Sequence, residues 1–242
     1  MQNSPLQIGT LIYDGIDQID VTGPFEVLSR IPGAVHRLYA QADRPVKDVM
    51  GLRLMPDATM DQAPQLYILH VPGGQGQEAL MDAEDVHKWL IAQSRGAKAV
   101  LSVCTGALLL GSAGLLIGKR ATTHWASTHL LKDFGATFVD ERVVVDDQWT
   151  FAAGVTAGID GALRLVSEIA GQEASERIQL DIAYAPEPPF NSGDPKSAPA
   201  EIVAEARGAM ADLIARREAT ARRIAQRLGI GRSAALADAD AS

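Results

Sequence analysis

The feature that most constrains this chain is an alternation of two kinds of segment. Apolar runs of strand length, LQIGTLIYDG, AVHRLYAQA, QLYILHVPGG and AKAVLSV, give way to stretches with helical spacing. In DVTGPFEVLSRIPG the apolar positions are Phe25, Val27 and Leu28; in AEDVHKWLIAQSRG they are Val86, Trp89 and Leu90, closed by a glycine. The order continues with TGALLLGSAGLLIG as a helix, ATTHWASTHLLKDFG as a short strand then a helix, strands with a hairpin in ATFVDERVVVDDQWTFAAG, and the helix TAGIDGALRLVSEIAG. A hairpin-like pair fits VKDVMGLRLMPDAT. Strands separated by helices of this length require parallel crossovers, which predicts an α/β fold: a doubly wound, mostly parallel sheet with helices on both faces. Such sheets bind ligands beyond the carboxyl ends of their strands. Three strand ends qualify: Asp14 to Asp20, Pro72 to Gly74, and Cys104.

The 242 residues suffice for one large core, predicted over 1–183, with an appendage. The Pro-, Gly- and Ser-rich YAPEPPFNSGDPKSAPAE opens a connection over 184–232 that ends in an Ala- and Arg-rich helical pattern, expected to pack on the domain or on a dimer partner. Its arginines read as a solvated helix face. The tail over 233–242 is expected to be disordered. No apolar stretch reaches membrane-spanning length and no signal sequence is evident, so a cytoplasmic protein without a membrane partner is expected. A formal charge of -8 argues against nucleic-acid binding. One cysteine allows no internal disulfide, and no Cys or His cluster has ligand spacing, so neither a metal nor a cofactor is expected.

That single cysteine, Cys104, lies in SVCTG, where a strand-like run becomes helix-like. Small residues flank it on both sides, as in the sharp turn that exposes a nucleophile above an α/β sheet. A thiol there faces the positive end of the helix macrodipole, which is expected to lower its pKa. The competing reading is a small buried apolar residue. In HVPGGQG, the amide of Gly74, with Gly73 beside it, can join that of Thr105 in polarising a developing negative charge; a plain glycine turn is the alternative. Asp17 suits an exposed loop, whereas Asp20, between Ile19 and Val21, is the carboxylate expected to point inward unless it caps the helix.

Taken together, DQIDVTGPFEVL, LHVPGGQG, LSVCTGALLLGSAGLLIGKRATTHW and GVTAGIDGAL resemble the DJ-1/PfpI superfamily, and within it the isonitrile hydratase branch. The resemblance runs from about residue 6 to beyond residue 200. It implies a flavodoxin-like sandwich, a homodimer, a nucleophile at Cys104 and an acidic partner at Asp20, where many relatives carry Glu. Thr105 stands where other branches have His. The implied reaction takes a small-molecule isonitrile to an N-substituted formamide through a Cys104 thioimidate, with Asp20 as general acid and base and Thr105 orienting sulfur or substrate. His124, next to Trp125, is a base on one reading and a hydrogen-bonded packing residue on the other. The rivals are a glyoxalase-type activity, a thiol redox sensor, and a sensory domain related to AraC-type regulators.

Overall fold

A computed structural model describes residues 5–230; the expected tail over 233–242 lies outside them. The chain opens with β1 (Leu6–Leu11), α1 (Gln18–Leu28) and β2 (Ala34–Ala40), followed by a hairpin of β3 (Val46–Lys47) and β4 (Arg53–Leu54). Next come β5 (Ala58–Thr59), β6 (Ile68–Val71), α2 (Gln77–Leu80), α3 (Glu84–Gly96), β7 (Ala99–Val103) and α4 (Gly106–Ser112). After β8 (Arg120–Ala121), a 3-10-helical stretch over Trp125–Phe134 leads to β9 (Thr137–Phe138), β10 (Val143–Asp146) and β11 (Trp149–Ala152). Four helices close the chain: α5 (Ala157–Ala170), α6 (Gln172–Asp181), α7 (Ala200–Ala209) and α8 (Ala211–Leu228).

The main sheet has seven strands in the order β10-β11-β7-β6-β1-β2-β5. Its pairings are parallel except for β10 against β11. Both β6 and β7 are buried along their whole length, as strands covered on two faces must be. The pleat divides their side chains: Val100 joins a core with α3, α4 and α8, whereas Ala99, Leu101 and Val103 join one with α1, α5 and α6. Glycines bring α5 close to the sheet, since a Cβ at Gly158 would stand 3.1 Å from Val103 and one at Gly161 3.0 Å from Ala152. From β1 the chain moves to β2 on one side and later returns to β6 on the other. The resulting switch point, between the carboxyl ends of β1 and β6, is where open α/β sheets form their binding crevice.

The doubly wound, mostly parallel sheet is therefore the architecture predicted, and the departures are local. The helix expected through Gly118 stops at Ser112, and Gly114 and Gly118 turn the chain with φ of 78° and 77°. Helix α6 was not anticipated, because it buries only Ser175 and Ile178 and so carries a weak apolar pattern. The C-terminal helical pattern is two helices meeting at Met210. Helix α7 buries none of its residues, whereas α8 buries Arg217, Thr220, Ala221 and Ile224 on one face. The expected solvated arginine face is accordingly only partial: Arg217 points inward, Arg223 pairs with Asp82, and Arg227 donates to the Ser112 carbonyl at 3.1 Å.

Candidate active site

Cys104 follows β7 directly and has φ of 54°, a left-handed conformation that costs a non-glycine residue about 1–3 kcal/mol. Two hydrogen bonds hold it there. Its amide donates to the Ala152 carbonyl at 2.9 Å, and the Thr123 hydroxyl donates to its carbonyl at 2.7 Å. Gly106, next in the turn, has no room for a Cβ because the Val71 carbonyl lies against it. The small residues flanking the cysteine are thus a packing requirement of the turn.

Asp20 reaches the same place from the first turn of α1. It is not the helix cap: Asp17 is, its Oδ1 accepting from the Ile19 amide at 3.0 Å. Asp20 is 0% exposed, and its Oδ2 accepts from the Gly73 amide at 2.9 Å. Its Oδ1 has no partner of regular hydrogen-bond geometry, yet the Cys104 thiol is close enough to stabilise the carboxylate. Burial, with the nearby Asp17 charge second, outweighs those two contacts and raises the Asp20 pKa to about 7.

The Pro72–Gly74 turn binds the two together. Gly73 donates to Asp20, and its carbonyl accepts from the Asp17 amide at 3.0 Å. The Gly74 amide donates to Thr105 Oγ1 at 3.1 Å, and the same hydroxyl returns a bond to the Gly74 carbonyl at 3.2 Å. Neither position tolerates a side chain: a Cβ on Gly73 would lie 2.5 Å from the Thr105 amide, and Gly74 has φ of 139° with the Gly15 carbonyl 2.5 Å from its virtual Cβ. Both glycine amides are therefore engaged inside the site, the one holding Asp20 and the other holding Thr105. The Thr105 amide faces the sulfur and favours its anion.

The thiol pKa departs from expectation. The amide at the start of the short helix favours the anion, but burial, reinforced by the Asp20 charge, outweighs it and pushes the Cys104 thiol up. His124 takes a bond from the Ala126 amide to its Nδ1 at 3.4 Å and packs on Trp125 with ring centroids 5.3 Å apart. Burial and the Arg217 charge lower its pKa to about 4, so it is neutral near pH 7. Two further side chains reach the site. Tyr13, just past β1, donates its hydroxyl to the Pro72 carbonyl at 2.9 Å, and its apolar strand context in LIYDG hid it. Arg217, from α8, donates Nη2 to the Gly74 carbonyl at 2.7 Å, and nothing local in an Ala- and Arg-rich helix singles it out.

Among the described residues no group of three or more His, Cys, Asp or Glu is arranged to hold a metal ion, and no helix is long and apolar enough to cross a membrane. The family model for DJ-1/PfpI matches residues 7–168. The chain is 43% identical to isonitrile hydratase of Pseudomonas putida over 225 residues, 93% of this chain and 99% of that protein. It is 30% identical over 189 residues to a helix-turn-helix transcriptional regulator of Pseudomonas aeruginosa, a match covering 75% of this chain but 51% of the regulator. The crystal structure of a ThiJ/PfpI family protein from Pseudomonas syringae superposes with a TM-score of 0.87 at 36% identity, covering 90% of each chain.

Proposed function

The chain belongs to the DJ-1/PfpI family, and from that premise we propose that it is an isonitrile hydratase, converting R–N≡C and water into an N-substituted formamide. The observation that carries this reading is the 43% identity to an isonitrile hydratase across nearly the full length of both chains. The buried pair of Cys104 and Asp20 supplies the chemistry the reaction needs, because nucleophile and proton must both reach one terminal carbon.

With the thiol pKa raised and that of Asp20 near 7, the pair holds a single proton over the range in which it works. As sulfur attacks the terminal carbon, that proton passes from the thiol to the Asp20 carboxylate, which delivers it to the same carbon. The product is a thioimidate, Cys–S–CH=N–R. Water then adds to its carbon while Asp20 takes a proton from the water and hands it to nitrogen. Collapse of the tetrahedral adduct breaks the C–S bond, releases HC(O)–NH–R, and returns the hydroxyl proton through Asp20 to sulfur. Gly73 holds Asp20 in place, and the Thr105 hydroxyl, tied to Gly74, orients the sulfur. A homodimer acting on a small-molecule isonitrile is part of the proposal.

The test is chromatographic detection of formamide from a simple alkyl or aryl isonitrile, run beside methylglyoxal. Formamide production that vanishes in Cys104→Ala and falls by about a thousandfold or more in Asp20→Asn is expected, the loss of a nucleophile or of a proton carrier. Turnover of methylglyoxal alone would refute the assignment. Sedimentation velocity reads the oligomeric state.

A further inference from the structure

Arg217 is 4% exposed, yet among the described residues no carboxylate lies within ion-pair distance of it. Its hydrogen bond is to the neutral Gly74 carbonyl, and its buried Nε has no partner. A guanidinium withdrawn from water without a counter-charge is destabilising by several kcal/mol, so a helix retaining one for packing alone would do better with an apolar side chain of similar size. Other contacts already fasten α8. Thr220 donates to Glu78 at 2.9 Å, Arg223 pairs with Asp82, and Ala221 and Ile224 fill the core. Arg217 therefore adds a positive charge to a helix that does not need it as an anchor.

The carboxylates around it, Glu78 among them, act only from beyond ion-pair distance. The Gly74 carbonyl that Arg217 grips also accepts from Thr105, whose amide faces the Cys104 sulfur. We propose that Arg217 is a positioning residue of the site: it fixes the Gly73–Gly74 turn from above and supplies the standing positive charge that the Cys104 thiolate balances when it forms. The claim rests on the Cys104 and Asp20 reading but not on the identity of the substrate. The charged and titratable groups around this pair are Asp17 and Asp20 from α1, Tyr13 beyond β1, Glu78 of α2, His124 before the 3-10 stretch, and Arg216 on α8 itself. Asp17 and Asp20 oppose thiolate formation, and Arg217 is the group among them that favours it.

Because Cys104 is the sole cysteine, its carbamidomethylation by iodoacetamide followed by mass, and its 13Cβ chemical shift, each report one thiol against pH. Arg217→Met should slow alkylation roughly tenfold at every pH below the thiol's titration, as expected for deleting one nearby opposite charge, and move the 13Cβ midpoint to higher pH. Arg217→Lys keeps the charge and should stay close to the parent. Thr220→Val, which loosens α8 without touching the charge, should leave both titrations in place. Should Arg217→Met not fold, Arg217→Gln takes its part with the same expectation. Unchanged titrations in the neutral variant, or an equal displacement in Thr220→Val or Arg217→Lys, overturn the proposal. Failure of the isonitrile assay with the thiol shift intact would sink the substrate assignment and leave this inference standing.

Discussion

Asp20→Asn should make the protein more stable as it destroys activity, and the gain should grow with pH. In the folded chain the Asp20 pKa is about 7, chiefly through desolvation, against 3.8 in an unperturbed carboxyl. Between those values the unfolded chain has lost the proton that the native chain still holds, so the contribution of Asp20 to stability is full below pH 3.8 and is lost as pH rises through about 7. At 1.36 kcal/mol per pH unit, the stability lost through Asp20 relative to acid pH is about 4 kcal/mol at pH 8 and about 1.5 kcal/mol at pH 5. Asparagine is never charged and keeps an oxygen for the Gly73 amide, so it escapes that loss. For a chain of this length the difference corresponds to a melting temperature higher by about 10 °C at pH 8, shrinking to a few degrees at pH 5. Scanning calorimetry of both proteins at pH 5, 6, 7 and 8 reads it directly. A gap that does not change with pH, or an asparagine variant less stable at pH 8, would refute the claim that Asp20 is held protonated by burial.

On the proposed mechanism the working pair carries one proton, so kcat/KM should rise with pH through an acid limb near 7, where Asp20 ionises, and a flat profile between pH 5 and 8 would contradict that. Gly73→Ala forces a Cβ to 2.5 Å from the Thr105 amide; it should destabilise by at least about 2 kcal/mol in denaturant titration and lower turnover more than a surface substitution of equal cost. Replacing Cys104 tests the strained turn: Cys104→Gly should unfold at higher denaturant than Cys104→Ala by about 1 kcal/mol, the reverse of their order in ordinary strand or helix. His36 sits partly buried, 2.7 Å from the Thr10 hydroxyl and stacked on Phe25, with desolvation lowering its pKa to about 3. Its stabilising contribution is therefore lost as pH falls from 6.5 toward 3, by up to about 5 kcal/mol, and His36→Gln should flatten the acid side of the stability curve.

The frame of the molecule was legible because its signals are local and repeated. Strands such as Ile68–Val71 and Ala99–Val103 are buried on both faces and therefore mostly apolar, with His70 and Ser102 the exceptions, and α3 shows its buried stripe at Val86, Trp89 and Leu90. Elements whose burial is slight escaped, α6 above all. At the site, the turn around Cys104 and the inward carboxylate of Asp20 could be read from their neighbours, since a sharp turn demands small residues and an acid between apolar ones must point somewhere. The thiol's titration could not. It depends on how deeply the sulfur is buried and on a carboxylate brought across the sheet, neither of which is written in SVCTG. Arg217 escaped for the same reason, because the carbonyl it meets belongs to a turn remote in sequence.

Away from the switch point the departures from local rules are scattered, such as the positive φ of Asp147 and Ala183. At the switch point the chain departs from those rules several times within one small volume. A cysteine holds φ of 54°, a carboxyl and a guanidinium are both withdrawn from water, and two glycine amides are engaged in holding catalytic candidates. Each departure is destabilising on its own, by about 1–3 kcal/mol for the backbone and several for each buried ion. They are mutually compensating only in a state where sulfur bears a negative charge: the thiolate balances Arg217, the proton it gives up neutralises Asp20, and the Thr105 amide gains an anion to face. On the mechanism proposed, the arrangement is thus complementary to a charge distribution the resting protein does not hold, which is what a catalyst requires and a merely well-packed domain does not.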